Sequence, residues 1–223
     1  MSRRDNTAVR CPACRLHENL CICSLLPRIE TRTTVVLVLH RFEARKPTNT
    51  GQLAAACLPN SKVVVRGGRA ERSETIAIDP ATKPILLFPY EGAIPLGELT
   101  REDRPVTLIV PDGTWRQASK VRARVPGLID VPCATLPAGE PSVYRLRAEA
   151  HDGNLATFEA IARALGVIEG EQVRRGLEDV FRTMVERALW ARGAIAAEAV
   201  TGGVPSDARQ DGPGRRREAG GAR

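Results

Sequence analysis

The chain has 223 residues, of which 43% are hydrophobic and only 4% aromatic, and its formal net charge is +7. This length fits one domain with appendages or two small domains, and it is ample to bury a core. No run of about 18 apolar residues occurs, which excludes a transmembrane helix, and MSRRDNTAVRCPAC lacks the apolar centre of a signal peptide. We therefore expect a cytoplasmic protein without a membrane partner. The scarcity of aromatic residues disfavours a stacking-based RNA reader.

The positive charge lies towards the N-terminus. Residues 1–57 carry nine Lys or Arg against four Asp or Glu, whereas residues 58–200 carry nineteen of each. A local basic surface attracts a polyanion more specifically than diffuse charge does. Solubility alone explains so small an excess equally well.

Four of the six cysteines fall within the thirteen-residue segment CPACRLHENLCIC. Cytosolic thiols stay reduced, which disfavours disulfides, and four thiolates complete a tetrahedral Zn²⁺ shell. The sequence therefore predicts a structural zinc site in an N-terminal element, residues 1–30, with a redox or fortuitous cluster as the alternative. His17 lies inside the loop and could replace one thiol. The predicted ligands are Cys11, Cys14, Cys21 and Cys23; the isolated Cys57 and Cys133 are predicted core residues.

Short apolar runs alternate with helical patterns along the rest of the chain. Such runs are typical of strands buried on both faces of a parallel sheet. They predict strands at 33–39, 63–65, 85–88 and 106–110, with 128–136 as a weaker candidate. Helices are predicted from Thr48 or Thr50 to 58, at 116–125, from an Asn154 cap to Gly166, and along an apolar face from Val173 to Leu189. This alternation predicts an α/β domain at 31–200, with a largely parallel sheet covered by helices. Residues 201–223, rich in Gly, Arg and Pro, are predicted to be a disordered tail.

The segment PDGTW, residues 111–115, follows a predicted strand and precedes a predicted helix. Open α/β sheets bind ligands at the carboxyl ends of their strands, where Asp112 could act as a base and Trp115 could supply a flat apolar wall. A turn with a capping Asp112 beside a core Trp115 is the alternative, and spacing alone favours it. No Walker A loop, Rossmann G-x-G-x-x-G, nucleophile elbow or H-E-x-x-H occurs, which disfavours ATP hydrolysis, nicotinamide chemistry and zinc proteolysis.

Basic side chains follow two of the predicted strands. Arg116, Lys120 and Arg124 recur at every fourth residue, which places them on one face of the predicted helix at 116–125. Like charges at that spacing repel, so a phosphate backbone would be a fitting partner, although a solvated helix face also explains them. A second basic group follows the strand at 33–39 and comprises Arg41, Arg45 and Lys46.

Five ordered blocks resemble the DTW-domain family: CPACRLHENLCIC, HRFEARKPTNTGQLA, LLFPYEG, VPDGTWRQASK and SVYRLRAEAHDGNLATFEAIA. The family is named for the D-x-T-W motif, which stands here at Asp112–Trp115, and the match covers most of residues 11–190. Members similar to this chain are tRNA-uridine aminocarboxypropyltransferases. The resemblance implies transfer of the 3-amino-3-carboxypropyl group of S-adenosylmethionine to N3 of a tRNA uridine, with release of methylthioadenosine. The family is similar to the SPOUT class, which implies a knotted C-terminal sheet that binds the cofactor.

The resemblance also implies roles for individual residues. Asp112 is the candidate base for the uridine N3–H, and Thr114 and Trp115 complete the catalytic motif. The residues expected to bind S-adenosylmethionine are Thr50, Leu87, Pro89, Trp115 and Ala118. The residues expected to bind tRNA are Arg41, Arg45, Lys46, Arg116, Lys120 and Arg124, and no obligate protein partner is evident. In the block LATFEA, Phe158 stands where the family often has Leu.

Two other functions remain open at this point. A SPOUT-type RNA methyltransferase would use the same cofactor but transfer its methyl group. A non-catalytic zinc-containing RNA-binding protein would explain the cysteines and the basic N-terminal region, but not three loops that converge at strand ends.

Overall fold

The computed structural model of the protein describes residues 10–46, 49–67, 75–146, 155–208 and 210. Within them, six strands form one sheet in which every paired strand is parallel to its neighbour. The strands are β1 (Thr34–His40), β2 (Ser61–Arg66), β3 (Lys83–Leu87), β4 (Ile94–Pro95), β5 (Val106–Asp112) and β6 (Cys133–Thr135). The helices are α1 (Arg41–Ala44), α2 (Gly51–Cys57), α3 (Leu96–Leu99), α4 (Trp115–Ala118), α5 (Val121–Arg124), α6 (Thr157–Glu169) and α7 (Glu171–Ala191). Short 3₁₀ helices span Glu18–Leu20, Cys23–Leu25 and Ala197–Ala199.

The strands lie in the order β2-β1-β5-β3-β6-β4. β5 is buried along its whole length between β1 and β3. Because the strands are parallel, their carboxyl ends share one edge of the sheet, which we call the carboxyl edge. At this edge Leu39 lies opposite Asp112, and His40 lies opposite Arg66. The loops that leave β1, β2, β3 and β5 therefore meet in one region.

The two faces of the sheet bury separate apolar cores. The larger core contains side chains of α2, α6 and α7 together with Val35, Leu37, Leu39, Leu108 and Val110. The smaller core contains Val36, Val38, Ile109, Val125 and Leu128, against which Val64 packs. Successive side chains of a strand point to opposite faces. Asp112 therefore faces the α2 and α6 side, whereas His40 and Arg66 face the side of the smaller core.

The N-terminal element packs onto the larger core. Cys14, Leu16, Leu20 and Ile22 are buried there, alongside residues of α7. A small cysteine-rich segment has too little apolar surface to fold alone, and this packing supplies the missing contacts.

The predicted α/β architecture and its parallel strands are confirmed. The four stronger strand predictions coincide with β1, β2, β3 and β5, and the weak candidate at 128–136 contracts to β6. β4 was not predicted because a strand of two residues, Ile94 and Pro95, leaves no recognisable pattern in a sequence.

The prediction of one helix at 116–125 is wrong, because the chain forms α4 and α5 with a break between them. A continuous helix would pair the backbone N–H of Arg122 with the carbonyl of Ala118. Instead the Tyr90 hydroxyl donates to the Ala118 carbonyl (3.2 Å) or the Ser119 carbonyl (3.0 Å) and accepts from Arg122 N–H (3.3 Å). A side chain inserted into the hydrogen-bond ladder interrupts a helix in this way. The one helical face expected for Arg116, Lys120 and Arg124 is therefore not formed.

Three smaller predictions also need correction. α6 runs through Gly166 and ends before Gly170, whose φ of 108° suits glycine. Thr50 makes no side-chain cap on α2, and Thr48 and Asn154 lie outside the described residues. The predicted disorder of the tail is wrong at its start, where Thr201 N–H donates to Glu186 at 2.6 Å. Residues 211–223 lie outside the described residues.

Candidate active site and metal centre

The PDGTW segment crosses the carboxyl edge from strand to helix. Asp112 ends β5, and Thr114 is the N-cap of α4, where its hydroxyl accepts from the Gln117 backbone N–H at 3.4 Å. The Gln117 side chain accepts from the Thr114 backbone N–H at 2.8 Å, which completes a capping box. A Cβ on Gly113 would lie 2.8 Å from Gln117 Oε1, so a side chain here would displace the Gln117 amide from the capping box. The motif thus fixes a tight turn beside the Asp112 carboxylate.

The Asp112 side chain is only 6% exposed and is held by two helices. Its Oδ2 accepts from Asn49 Nδ2 at 2.7 Å, and its Oδ1 accepts from Thr157 Oγ1 at 2.8 Å. A Cβ on Gly51 would lie 2.5 Å from Oδ2, so only glycine lets α2 approach this closely. The carboxylate therefore joins the end of β5 to the starts of α2 and α6.

Asn49 and Thr50 connect the start of α2 to this carboxylate and to α6. Asn49 Oδ1 accepts from the Gln52 backbone N–H at 3.0 Å, so Asn49, rather than Thr50, supplies the side-chain cap of α2. The buried Thr50 hydroxyl accepts from the Phe158 backbone N–H at 3.4 Å. Sequence reasoning gave Asn49 no role, although it stands inside the segment HRFEARKPTNTGQLA.

Glu159, also without a predicted role, is a buried carboxylate near the start of α6, and it is 3% exposed. It accepts hydrogen bonds from Ser142 Oγ (2.6 Å), Val143 N–H (2.8 Å) and Ala156 N–H (2.8 Å). Three donors compensate the loss of water around the charge. Glu159 thereby holds the loop after β6 against α6.

Three aromatic side chains form a contiguous group on the smaller-core side of the carboxyl edge. The Trp115 and Phe88 ring centroids are 4.7 Å apart, and those of Phe88 and Tyr90 are 4.6 Å apart. Trp115 is 62% exposed, whereas Phe88 is 8% exposed. The alternative of a core Trp115 is therefore wrong. The indole instead presents a flat ring to solvent, supported from behind by Phe88.

The other residues expected at S-adenosylmethionine occupy both sides of the carboxyl edge. Leu87 and Ala118 are buried, and Pro89 is exposed next to the aromatic group. Thr50 lies with α2 on the opposite side of the sheet. A ligand that contacts both Thr50 and Trp115 would have to cross the edge beside Asp112.

The basic residues expected to bind tRNA lie at the exposed surface of this region. Arg41, Arg45, Lys46, Arg116 and Arg124 are exposed, and Lys120 is half-buried. The Arg41 guanidinium lies 4.5 Å from the centroid of the exposed Phe42 ring, and Lys46 Nζ pairs with Glu43 Oε1 at 2.6 Å. These groups lie in the two chain segments that follow β1 and β5, and not on one helix.

The four N-terminal thiols converge on one point. All four Sγ atoms lie within 4.8 Å of one another, with Cys11 and Cys23 at 3.5 Å and Cys14 and Cys21 at 3.7 Å. Four sulfurs bound to Zn²⁺ at about 2.3 Å are separated by about 3.8 Å in an ideal tetrahedron. His17 is outside this group and pairs with Arg10 in a β-bridge. The thiols of the cluster alone thus fit a tetrahedral metal.

Arg187 of α7 lies directly beside the cysteine cluster and is 5% exposed. Its Nη1 donates to the Cys21 carbonyl at 2.7 Å, and its Nε donates to the Gly203 carbonyl at 3.1 Å. Burial lowers the pKa of Arg187, and the nearby Cys21 and Cys14 thiols oppose this shift. Four thiolates around a divalent ion carry net negative charge, which this guanidinium offsets.

A cavity of about 160 Å³ separates the cysteine cluster from the start of α2. Its lining includes Cys14, Asn49, Thr50, Tyr144 and Arg192. Asn49, which lines this cavity, also donates a hydrogen bond to Asp112. The cavity therefore lies between the N-terminal element and the carboxyl edge.

The chain matches the sequence model of a known protein family. The model of the DTW domain matches residues 8–189. The chain belongs to the DTW domain family. The D-x-T-W motif of the family is the segment that places Asp112, Thr114 and Trp115 at the carboxyl edge.

Named relatives of this DTW protein come from animals and plants. It is 27% identical over 192 residues to tRNA-uridine aminocarboxypropyltransferase 2 of Drosophila melanogaster, with 82% of this chain and 76% of the relative covered. It is 30% identical over 209 residues to tRNA-uridine aminocarboxypropyltransferase A of Arabidopsis thaliana, with 78% and 79% covered. It is 29% identical to tRNA-uridine aminocarboxypropyltransferase 2 of Macaca fascicularis, of which it spans 56%. No solved structure matches the chain. None of the helices in the described ranges has the length and hydropathy to cross a membrane.

Proposed function

We propose that this DTW protein is a tRNA-uridine aminocarboxypropyltransferase that uses S-adenosylmethionine. The observation that carries the proposal is the family match over residues 8–189, joined to relatives of that name aligned over most of the chain. The site supports it, because polar, aromatic and basic groups meet at the carboxyl edge, where parallel sheets bind ligands.

The proposed reaction moves the 3-amino-3-carboxypropyl group to N3 of a uridine. The N3–C bond forms while the C–S bond of the sulfonium breaks, and the electron pair leaves on sulfur as methylthioadenosine. The N3 proton must pass to a base, and the proposal assigns this proton to Asp112. Asn49 and Thr157 hold the two oxygens of this carboxylate, which suits a reaction that depends on positioning.

The proposed cofactor site extends along the carboxyl edge. Trp115 offers a flat ring for a heteroaromatic partner, with Pro89 exposed beside the aromatic group. Ala118 is buried in α4, the helix that begins with Trp115, whereas Leu87 is buried in the larger core on the other side of the sheet. Thr50 borders the cavity on the other side of the sheet and is proposed for the amino-acid end.

The cysteine cluster is proposed to hold a structural Zn²⁺ ion with four protein ligands. Cys11, Cys14, Cys21 and Cys23 supply a closed tetrahedral set. Such an ion would stabilise the N-terminal element and takes no part in the transfer.

The proposal also includes the SPOUT-like knot and a cytoplasmic location. The knot is proposed from the similarity of the family to the SPOUT class. In the described residues, β6 lies beyond β3 in the sheet, and α6 packs against α2, α3 and β5. The proposed partner is tRNA.

The decisive experiment uses S-adenosylmethionine labelled separately in its methyl group and in its aminocarboxypropyl group. Purified protein is incubated with tRNA, the nucleosides are separated, and their masses are measured by mass spectrometry. We expect only the aminocarboxypropyl label to enter tRNA, on a uridine. Transfer of the methyl label would instead identify a methyltransferase, and tRNA binding without transfer of either label would identify a binding protein.

A further inference from the structure

The edge strand β2 ends at the carboxyl edge in Arg66, a residue that the proposed reaction does not use. Its Nε and Nη2 atoms are buried and have no hydrogen-bond partner within the described residues, while the residue as a whole is only half-buried. No salt bridge in the described part of the chain includes Arg66. A guanidinium stays charged at physiological pH, and buried charged donors without an acceptor are destabilising. The unpaired side chain therefore indicates an anion that binds from outside the chain.

His40 supplies a second donor at the same place. Arg66 and His40 are register partners in parallel strands, so their side chains leave the sheet on the same face. Burial lowers the pKa of His40, which favours the neutral ring. Because Nδ1 accepts from the Phe42 backbone N–H at 3.4 Å, the ring proton belongs on Nε2. A Cβ on Gly67 would lie 2.8 Å from this Nε2, so a side chain at this position would crowd the His40 ring.

The surroundings of Arg66 are basic. Helix α1 packs against both β1 and β2 and carries the exposed Arg41, followed by the exposed Arg45. The acidic residue of α1, Glu43, is buried and already paired with Lys46 at 2.6 Å. Additional positive charge thus lies on and just after a helix that packs against β2.

We propose that Arg66 and His40 Nε2–H together bind one backbone phosphate of the tRNA substrate. This inference rests on the proposed function and adds a specific contact to it. A tRNA phosphate fits better than the carboxylate of S-adenosylmethionine, because Arg66 faces the side of the sheet opposite Thr50 and Asp112. Phosphate contacts of this kind fix the position of a nucleic acid without reading its sequence.

The test measures tRNA affinity of Arg66→Met at several salt concentrations. Methionine keeps most of the aliphatic volume of the side chain and removes its charge. We expect tRNA binding to weaken about tenfold at low salt, and the slope of log affinity against log salt to fall by about one unit. The matched control is Lys62→Met, which removes the same charge from an exposed position on the same strand and face. Equal salt slopes for the two variants would contradict the proposal.

Three further measurements distinguish this phosphate contact from a structural role and from a cofactor contact. Thermal unfolding of Arg66→Met should occur near the wild-type temperature, because the half-buried guanidinium makes no hydrogen bond or salt bridge within the described residues; a clear decrease would show a structural role. Affinity for S-adenosylmethionine alone should be unchanged, and a loss would assign Arg66 to the cofactor instead. Arg66→Lys should restore part of the salt slope.

If the wild type binds tRNA in an Arg66-dependent manner but transfers no label, the phosphate contact stands and the proposed activity fails.

Discussion

The Asp112 carboxylate has two possible roles, as a base and as the joint between β5, α2 and α6. Its oxygens accept from Asn49 at 2.7 Å and from Thr157 at 2.8 Å. In Asp112→Asn an amide group would face one of these donors, so one hydrogen bond would be lost.

We expect Asp112→Asn to reduce single-turnover transfer about 10²–10⁴-fold, the range of a positioned acid–base group. The lost hydrogen bond should lower the free energy of unfolding by about 1–3 kcal/mol. Rapid-quench transfer assays at saturating cofactor and urea denaturation measure the two effects.

The matched control is Thr157→Val, which removes one hydrogen bond but keeps the carboxylate. If Asp112 is the base, Thr157→Val should keep most of the transfer rate while losing similar stability. Equal loss of rate in both variants would show that the carboxylate only holds the helices. A wild-type rate for Asp112→Asn would end the assignment of Asp112 as the base.

The exposed Trp115 indole leads to a different prediction. Because the ring is 62% exposed, Trp115→Ala should cost the fold about 1 kcal/mol or less. The same change should weaken binding of a stacked base by about 1–3 kcal/mol, and Trp115→Phe should restore most of it. Calorimetric titration with S-adenosylmethionine and with a uridine-containing oligonucleotide shows which ring binds there. Unchanged affinity for both ligands would remove Trp115 from the site.

The sequence placed Asp112, Thr114 and Trp115 at a strand end because a short motif after a buried strand is a local pattern. The partners of Asp112 could not be found in this way. Asn49 is separated from it by 63 residues and Thr157 by 45 residues, so only the folded chain joins them. The exposure of Trp115 could not be predicted either, because Phe88, whose ring contacts the indole, follows another strand.

The break between α4 and α5 changes how the basic residues are arranged at the surface. Tyr90 holds the break open by bonding to Arg122 N–H and to the Ala118 or Ser119 carbonyl. The charges of Lys120 and Arg124 therefore belong to a turn and a short helix, and they do not form the stripe that their spacing predicted.

We expect the double variant Lys120→Glu and Arg124→Glu to weaken tRNA binding and to lower the salt slope by about one unit per lost phosphate contact. Affinity for S-adenosylmethionine should change little. Filter binding across a salt series measures the slope. Reversing Arg175 and Arg182, two exposed charges of α7, is the control for net charge alone. Identical slopes for the two double variants would show that the α4–α5 charges are only solvated.

The central strands were predictable because continuous apolar runs such as VTLIV have few alternatives to a buried parallel strand. The helix at 116–125 was not, since its local pattern is helical and the interruption comes from Tyr90, a residue in the loop after β3. The predicted helix end at Gly166 was wrong for a related reason. It looks like a helix stop, but it lies within α6 where a Cβ would come within 2.9 Å of the Arg174 side chain.

At the scale of the whole molecule, the cysteine cluster leads to a prediction about metal content and folding. We expect about one zinc per purified chain, and we expect Cys14→Ser to lose metal, because site formation is coupled to folding. The unfolding temperature should fall sharply, since Cys14 is also buried in the larger core. Metal analysis and thermal unfolding measure both effects.

The controls for the zinc prediction use residues outside the cluster. His17→Ala should retain the metal, because His17 does not belong to the group of four thiols. Cys57→Ser should also retain it; Cys57 lies in the core, where burial raises the pKa of its thiol to about 12. Active wild-type protein without zinc would overturn the assignment.

The two hydrogen bonds of Arg187 have a practical consequence for where this domain ends. The family match stops at residue 189, yet the Gly203 carbonyl accepts from Arg187 Nε, and Val204 and Ala208 pack against the larger core. A chain shortened at the family boundary would leave that guanidinium nitrogen without its acceptor, next to the thiols of Cys14 and Cys21. The segment after α7 thus belongs to the same folding unit as the N-terminal element, although the two lie far apart in the chain. We therefore expect an intact domain to need residues through Ala208.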